Sequence, residues 1–481
     1  MIVADVVDGR VQIVDRLKEM VRLAGGLDSE NHLTEDAIDK GVQCLERFGQ
    51  RIKDVPTINV RAVGTNTLRQ ARNSLYFMVK ANLALNHRIE IISGREEARL
   101  IYLGVAHTIF NEEQQRLVVD IGGGSTELII GKRFDARVIE SLYMGCVNMS
   151  NRFFSDGEIT AKKMRRAILA SRQELEHIQA LYRLIGWDTV LGTSGTITSI
   201  KSVIQSQGWS KDRITVKALS KLKKDLIQKG HIKEINYEGL SSNRIPVFPG
   251  GVAILSAVFE TLEIKEMETS EGALREGLLY DLIGRLQDND TRDKSINDLV
   301  ERYGVDREQS ARVEATAIEI FKQINQDWNL SADEDKKLLC WSARLHELGL
   351  TVAHSQHHRH GAYLLNNSDM PGFSRQEQNN LGLLVRCHRR KFPVNLLTEM
   401  PEADQEKLKK LAIILRLAVV LNRSRSDATL PAMMFSAKNK LINIKFPQTW
   451  LNDHPLTEAD LQTEADYLEV ADISLNLKYP G

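Results

Sequence analysis

The sequence predicts an α/β fold over roughly the first 285 residues, then a helical segment, then a small strand-bearing end. Three observations carry this. Short β-branched runs alternate with helix-period runs through the first part, and glycine-rich turns stand where the runs change character. From residue 295 to 425 the period is almost wholly helical, and from Met433 short strands return, as in Leu441-Ile442-Asn443-Ile444.

The elements follow in order. Residues 1–7 alternate like a strand, and Asp8-Gly9 is a hairpin turn into Val11-Gln12-Ile13-Val14. Thr34 caps a helix whose Ile38, Val42, Leu45, Phe48 and Ile52 share one face. Residues 58–63 read as a strand running into Gly64-Thr65-Asn66-Thr67, with a helix from about Leu68-Arg69. Residues 89–92 form another strand, closed by Ser93-Gly94, and a helix starts at Arg95-Glu96-Glu97-Ala98-Arg99. Leu117-Val118-Val119 and Leu128-Ile129-Ile130 are strands on either side of a glycine turn. A helical pattern around 160–184 precedes Thr189-Val190-Leu191, which runs into Gly192-Thr193-Ser194-Gly195-Thr196. Pro249-Gly250-Gly251 and residues 272–277 are further glycine turns, expected at strand-to-helix junctions, where α/β folds place ligands. Residues 287–293 are polar and read as a linker.

Bulk properties narrow the class. The 481 residues suffice for several domains, and Lys+Arg and Asp+Glu are both 64, so nothing draws the whole chain to nucleic acid or an anionic membrane. A polyanion would need a local groove. The four cysteines are scattered, with no CxxC pair, which argues against a disulfide framework and a cysteine zinc site. No apolar run approaches a membrane span and no signal peptide is visible, so the expectation is a soluble cytoplasmic protein.

The turn Asp120-Ile121-Gly122-Gly123-Gly124-Ser125-Thr126-Glu127 carries the chemistry. Three glycines remove side chains and allow positive φ, so backbone N–H groups can converge on an anion. The Asp120 carboxylate can hold a divalent cation against that anion. A tight hairpin is the plain alternative; the acid before the turn and Ser-Thr after it favour a phosphate clamp. Residues 120–126 and 192–196 have the spacing of an actin-like fold, in which two ribonuclease-H-like lobes flank a cleft.

Together with Ser93-Gly94-Arg95-Glu96-Glu97-Ala98-Arg99, Thr67-Leu68-Arg69-Gln70 and residues 272–277, these motifs go further. The chain resembles the exopolyphosphatase / guanosine pentaphosphate phosphohydrolase family along nearly all its length. The resemblance implies four sections: actin-like lobes at 1–105 and 106–285, a helical HD-like domain at 296–425 and a small α+β region at 426–481. It implies Glu97 as general base on the water that attacks the terminal phosphorus, while Glu96 suits the role of a first-turn acid favoured by the helix dipole. It implies Mg²⁺ at Asp120, and phosphate at Arg69 and at the backbone of Gly122, Gly123, Gly124 and Ser125. Glu127 would reach the metal or its water, or else be a solvent-facing strand carboxylate. Gly195 would lie in a further phosphate or nucleotide-side loop. Family members carry Asp-x-Gly-Ser-Asn-Ser directly before the strand that begins here at Met1. The chain as given lacks it, so the expectation is a late-assigned start or a truncation, with hydrolysis impaired if the truncation is real.

The implied activity is Mg²⁺-dependent release of terminal phosphate from inorganic polyphosphate, with conversion of guanosine pentaphosphate to the tetraphosphate as the alternative. A sugar or acetate kinase of the same fold and a noncatalytic sensor are the competing classes. His346-Glu347, His354, His357, His358, His360 and His388 resemble an HD-type metal site, but Glu347 replaces the Asp of the pair. The expectation is a degenerate domain in which 357–360 and 386–391 form a cationic surface for a long anion. A homodimer through the helical section is expected by analogy; Leu338, Leu339, Leu345 and Leu348 could equally be intradomain core.

Overall fold

The computed structural model describes residues 1–7, 10–109, 113–287, 290–426, 428–438, 440–447 and 450–478. The chain forms two compact units, Met1–Asp290 and Thr291–Gly481.

In the first unit, β1 (Ile2–Val7) pairs antiparallel with β2 (Arg10–Arg16); the Asp8-Gly9 turn expected between them lies outside the described residues. The helix Glu35–Arg51 is capped by Thr34, whose hydroxyl accepts from Ala37 N. Its Ile38 packs with Phe77 and Ala81 of the helix Ser74–Leu85. β3 is shorter than the pattern predicts, Ala62–Gly64, because Thr57–Asn59 closes into a 3₁₀ turn after Pro56. The next helix begins earlier, spanning Asn66–Gln70. β3 pairs parallel with β4 (Ile89–Ile91), so β1–β4 form two separate two-stranded sheets. Ser93 then caps the helix Gly94–Ala106.

The rest of the unit is built on a six-stranded sheet. β5 (Gln115–Ile121), β6 (Thr126–Lys132) and β7 (Asp135–Leu142) form an antiparallel meander. β8 (Thr189–Thr193) runs parallel to β5, and β9 (Ile214–Thr215) closes the far edge on β10 (Glu266–Thr269), giving the order β7-β6-β5-β8-β10-β9. The apolar runs that flank the glycine turn are covered on both faces, which is why they do not alternate. Leu117, Val119, Leu128 and Ile130 share a core with the helices Ala161–Ile185 and Phe248–Leu262. Val118 and Ile129 face the other way, onto Ala98, Ile101, Tyr102 and Val105 of the helix Gly94–Ala106.

Pro249-Gly250-Gly251 is not a strand-to-helix turn. It lies in the first turn of the helix Phe248–Leu262, where proline is tolerated. A Cβ on Gly250 would sit 2.6 Å from Cys146 O, so its glycine serves close helix packing. The stretch Ile245–Leu262 is long and apolar enough to cross a membrane, at mean hydropathy 1.6, yet 78% of it is buried within the protein. It is the helix against which the sheet packs.

In the second unit, the helix Thr291–Arg302 starts inside the predicted linker, of which residues 288 and 289 lie outside the described residues. The helices Arg307–Ile324, Glu334–Leu345, His357–Asn367, Arg375–Cys387 and Glu402–Leu421 pack around one core. Leu338, Leu339, Leu345 and Leu348 belong to that core, which answers the alternative of an exposed pairing face at those leucines. β11 (Met434–Lys438) and β12 (Leu441–Lys445) pair antiparallel, and the helix Pro455–Glu469 leads to β13 (Ser474–Lys478), parallel to β12.

Candidate active site

The register of the central strands decides where the acids lie. Asp120 stands opposite Glu127 across β5 and β6, and Glu127 stands opposite Ser141 on β7. Counting from Val118 and Ile129, both carboxylates fall on the face that meets the helix Gly94–Ala106. Glu97 comes from the first turn of that helix. All three acids are buried, at 7%, 1% and 8% exposure for Asp120, Glu127 and Glu97. Glu127 is therefore no solvent-facing strand carboxylate.

Burial raises every one of these acids. Asp120 is pushed up to about 7 by burial and then by the charge of Glu97. Glu127 lies well above the usual carboxylate range through burial, Glu97 and Asp120. Glu97 is raised by burial, with Arg69 pulling the other way. Arg69 Nη2 donates to Glu97 Oε2 at 2.9 Å, and its Nη1 donates to Ile92 O at 2.8 Å. Ser141 Oγ donates to Glu127 Oε1 at 2.9 Å. Arg69 sits in the last turn of a five-residue helix rather than at a helix start.

Glu96 and Glu97 separate cleanly. Arg99 grips both oxygens of Glu96 at 2.8 Å, and also bonds Asp281, which Arg61 and Arg285 bond as well. Burial opposes ionisation of Asp281, but the three arginines outweigh it and hold the carboxyl low. Glu96 is thus part of a buried ion network, more than a first-turn acid answering the helix dipole.

The glycine turn works by close approach. None of Gly122, Gly123 and Gly124 adopts the left-handed conformation. A Cβ on Gly124 would lie 2.0 Å from Asn66 Nδ2, and one on Gly145 would lie 2.2 Å from Gly123 O. Gly122 N donates to Ser125 O at 2.9 Å, and among the described residues the amides of residues 123–125 have no backbone acceptor. Asn66 Oδ1 is buried beside the turn with no hydrogen-bond partner among the described residues. At the neighbouring loop, a Cβ on Gly195 would fall 1.9 Å from Arg244 Nη2. Ser194, not a glycine, takes positive φ there (78°) and donates to Ile121 O at 2.9 Å.

Asn66, Ser141, Ser194 and Arg244 therefore join the residues singled out from the sequence. Asn66 and Ser194 lie inside quoted motifs and were legible by position; Ser141 and Arg244 reach the site only through strand register and a distant loop.

Among the described residues, no three His, Cys, Asp or Glu side chains close on one point as a metal shell. Asp120 and Glu127 are nevertheless hard oxygen donors, buried side by side with like charge, where a divalent cation would relieve their repulsion. Mg²⁺ typically takes one or two carboxylates and completes its shell with water and phosphate oxygens, so the donor set fits.

Within the expected cationic surface at 357–360 and 386–391, the cations and three of the histidines part company: Arg359, Arg390 and Lys391 are exposed and Arg386 and Arg389 half-buried, while the imidazoles turn inward. His357, His358 and His388 are buried, and burial lowers all three, His358 to about 4, so they stand neutral.

Comparisons with known proteins bear on this geometry. The Ppx/GppA phosphatase family matches residues 2–286, and domain III of that family matches residues 291–465. A protein of Aeromonas hydrophila named guanosine-5'-triphosphate,3'-diphosphate pyrophosphatase is 40% identical over 466 residues, covering 97% of this chain and 94% of its own length. A protein of the same name from Vibrio cholerae is 40% identical over 469 residues, covering 97% and 93%. The crystal structure of an exopolyphosphatase from Cytophaga hutchinsonii is similar at TM-score 0.54 over 59% of this chain and 94% of that one, a likeness of fold at 22% identity.

Proposed function

The chain belongs to the Ppx/GppA phosphatase family, and from that premise we propose that it converts guanosine 5'-triphosphate 3'-diphosphate to the 3',5'-bis(diphosphate) with release of orthophosphate. The resemblance by itself implies polyphosphate, with the guanosine substrate as the alternative. The names carried by relatives at 40% identity over nearly the whole chain move the preference to the guanosine substrate.

The observation that carries the reaction class is the meeting of Glu97, Asp120 and Glu127, all buried, with Arg69 beside a turn of unspent backbone amides. Phosphoanhydride hydrolysis is mostly positioning and charge neutralisation. The amides of residues 123–125 hold oxygens of the terminal phosphate. Arg69 exchanges its bond to Glu97 for a phosphate oxygen, which frees Glu97 Oε2. That oxygen accepts a proton from the attacking water as the new P–O bond forms and the bond to the bridging oxygen breaks. Burial raises the proton affinity of Glu97 with Arg69 opposing, which strengthens it as a base. Asp120 and Glu127 would hold Mg²⁺, which supplies charge neutralisation to the phosphate oxygens when bound. Pairing of two copies and a cytoplasmic location complete this reading by analogy with the family; light scattering and fractionation check them.

Phosphate release from guanosine pentaphosphate and from long-chain polyphosphate, measured side by side with and without Mg²⁺, tests the proposal. Faster turnover of the guanosine substrate is expected. Turnover of polyphosphate alone would restore the first preference, and release unaffected by chelation would remove the metal.

A further inference from the structure

The second unit holds a cavity of about 480 Å³ that the proposed hydrolysis does not use. Its lining includes His346, His357, His388, Arg389, Arg390 and Tyr467. The three histidines share one arrangement. Nδ1 of His346 lies 2.7 Å from Ala343 O, Nδ1 of His388 lies 2.6 Å from Val385 O, and Nδ1 of His357 lies 3.2 Å from His354 O. A carbonyl only accepts, so Nδ1 of His346 and of His388 carries the hydrogen and the Nε2 of each is left as an acceptor. Ring centroids of His346 and His357 stand 5.5 and 5.4 Å from that of His388.

The cationic side is built as firmly. Arg416, fully buried and paired with Glu464, donates to Cys387 O and to Arg390 O at 2.6 Å, which fixes the chain at residues 388–390. Arg423 and Arg425 along the same wall are matched by Asp460 and Glu347. No described carboxylate pairs with Arg389 or Arg390. Arg389 Nη1 lies 2.9 Å from His357 Nδ1 and 3.1 Å from its Nε2, so it spends one N–H on that ring, and a guanidinium has five. Burial, then the nearby Arg390 and Arg423, lower its proton affinity, with Glu347 opposing.

Imidazole acceptors alone would suit a metal, but a guanidinium already lies on His357, and the described residues assemble no metal shell here. A bare phosphate chain would satisfy the arginines and leave the imidazoles facing like acceptors. The geometry points to a nucleotide: phosphate oxygens on Arg389 and Arg390, ribose hydroxyl or base N–H hydrogens on Nε2 of His346 and His388, and the Tyr467 ring beside the base. The volume falls within the range of small-ligand pockets. This site is separate from the glycine-turn site, and its occupancy does not depend on the hydrolysis proposed there.

The test uses the full chain carrying Glu97→Gln, titrated calorimetrically with GTP. Two binding events per chain are expected. Adding Arg389→Ala and Arg390→Ala should weaken one of them at least tenfold with the melting temperature unchanged, while adding Arg69→Ala instead should weaken the other. Inorganic tripolyphosphate should compete poorly at the arginine-dependent event. Titrations identical with and without the two arginines would overturn the site, and tripolyphosphate competing as well as GTP would overturn its nucleotide character. Should the double variant melt early, Tyr467→Ala takes its place with the same two readings.

Discussion

Glu96 and Glu97 leave the same helical turn, both buried, and enter opposite surroundings. Glu96 joins Arg99, Arg61, Asp281, Arg285 and Glu90, where three arginines face three acids and each of those carboxylates is paired. Glu97 joins Asp120 and Glu127, where Arg69 is the one cation bonded to the three acids among the described residues. A matched network holds helix to helix. An unmatched one stores repulsion that a proton, a metal ion or a phosphate clamp must answer. Perturbed acids arise in both settings, so the balance of charge, rather than burial, separates framework from chemistry.

The largest effect that would break this comparison is in the reaction itself. Glu97→Gln keeps shape and hydrogen bonding but cannot accept the proton of water, so phosphate release should fall about 10²–10⁴-fold with substrate binding retained. Turnover within threefold of the parent would place Glu97 among the framework acids.

The mirror experiment is Glu96→Gln or Asp281→Asn. Each leaves buried guanidinium groups without their counter-charge, at a cost of about 3 kcal/mol in urea unfolding. Turnover per folded molecule should stay within tenfold. A loss of turnover as deep as that of Glu97→Gln, with stability kept, would erase the distinction.

How much of this was legible beforehand follows from the range of the interactions involved. The strands flanking the glycine turn, the caps Thr34 and Ser93, and the helical character of residues 295–425 are local in origin and were readable. The choice between Glu96 and Glu97 is readable only through family resemblance, because what separates them is tertiary: Arg99 ties Glu96 to Asp281, 182 positions beyond that arginine, while Glu97 meets Arg69 from another helix. The glycines of 122–124 allow positive φ, which none of them adopts; the tertiary approach of Asn66 is what excludes a side chain at Gly124. The charged neighbours of His357, His358 and His388 suggest a surface, whereas the fold buries these three rings and leaves His354 exposed.

A smaller effect sharpens the unmatched side. Asp120 titrates near 4 when unfolded and is pushed up to about 7 in the fold. Between those values the native state binds the extra proton, so this contribution to stability is complete below about pH 4 and is lost as pH rises through about 7. In chelator, urea stability should fall from pH 5 to pH 8, by on the order of 1 kcal/mol per pH unit where the slope is steepest. Asp120→Asn should flatten that fall, and Mg²⁺ should raise the melting temperature more at pH 8 than at pH 5. A slope unchanged by Asp120→Asn would show that the acid is not held protonated.

The smallest effect concerns Ser194, which is held at φ 78° while its hydroxyl donates to Ile121 O, the residue after Asp120. Positive φ costs a serine about 1 kcal/mol that glycine is spared, and the hydroxyl bond contributes about 1 kcal/mol in return. Ser194→Gly should therefore be close to neutral in stability, since relief of the backbone offsets the lost bond. Ser194→Ala loses the bond and keeps the strain, so it should be about 1 kcal/mol less stable than Ser194→Gly in urea unfolding. Both remove the same hydroxyl from the edge of the acid cluster, so they should lower turnover by similar, severalfold amounts. That pairing is what makes the comparison informative: a stability order of Ala above Gly would deny the strain, and a turnover loss confined to Ala would trace the effect to backbone distortion instead of to the hydroxyl beside Asp120.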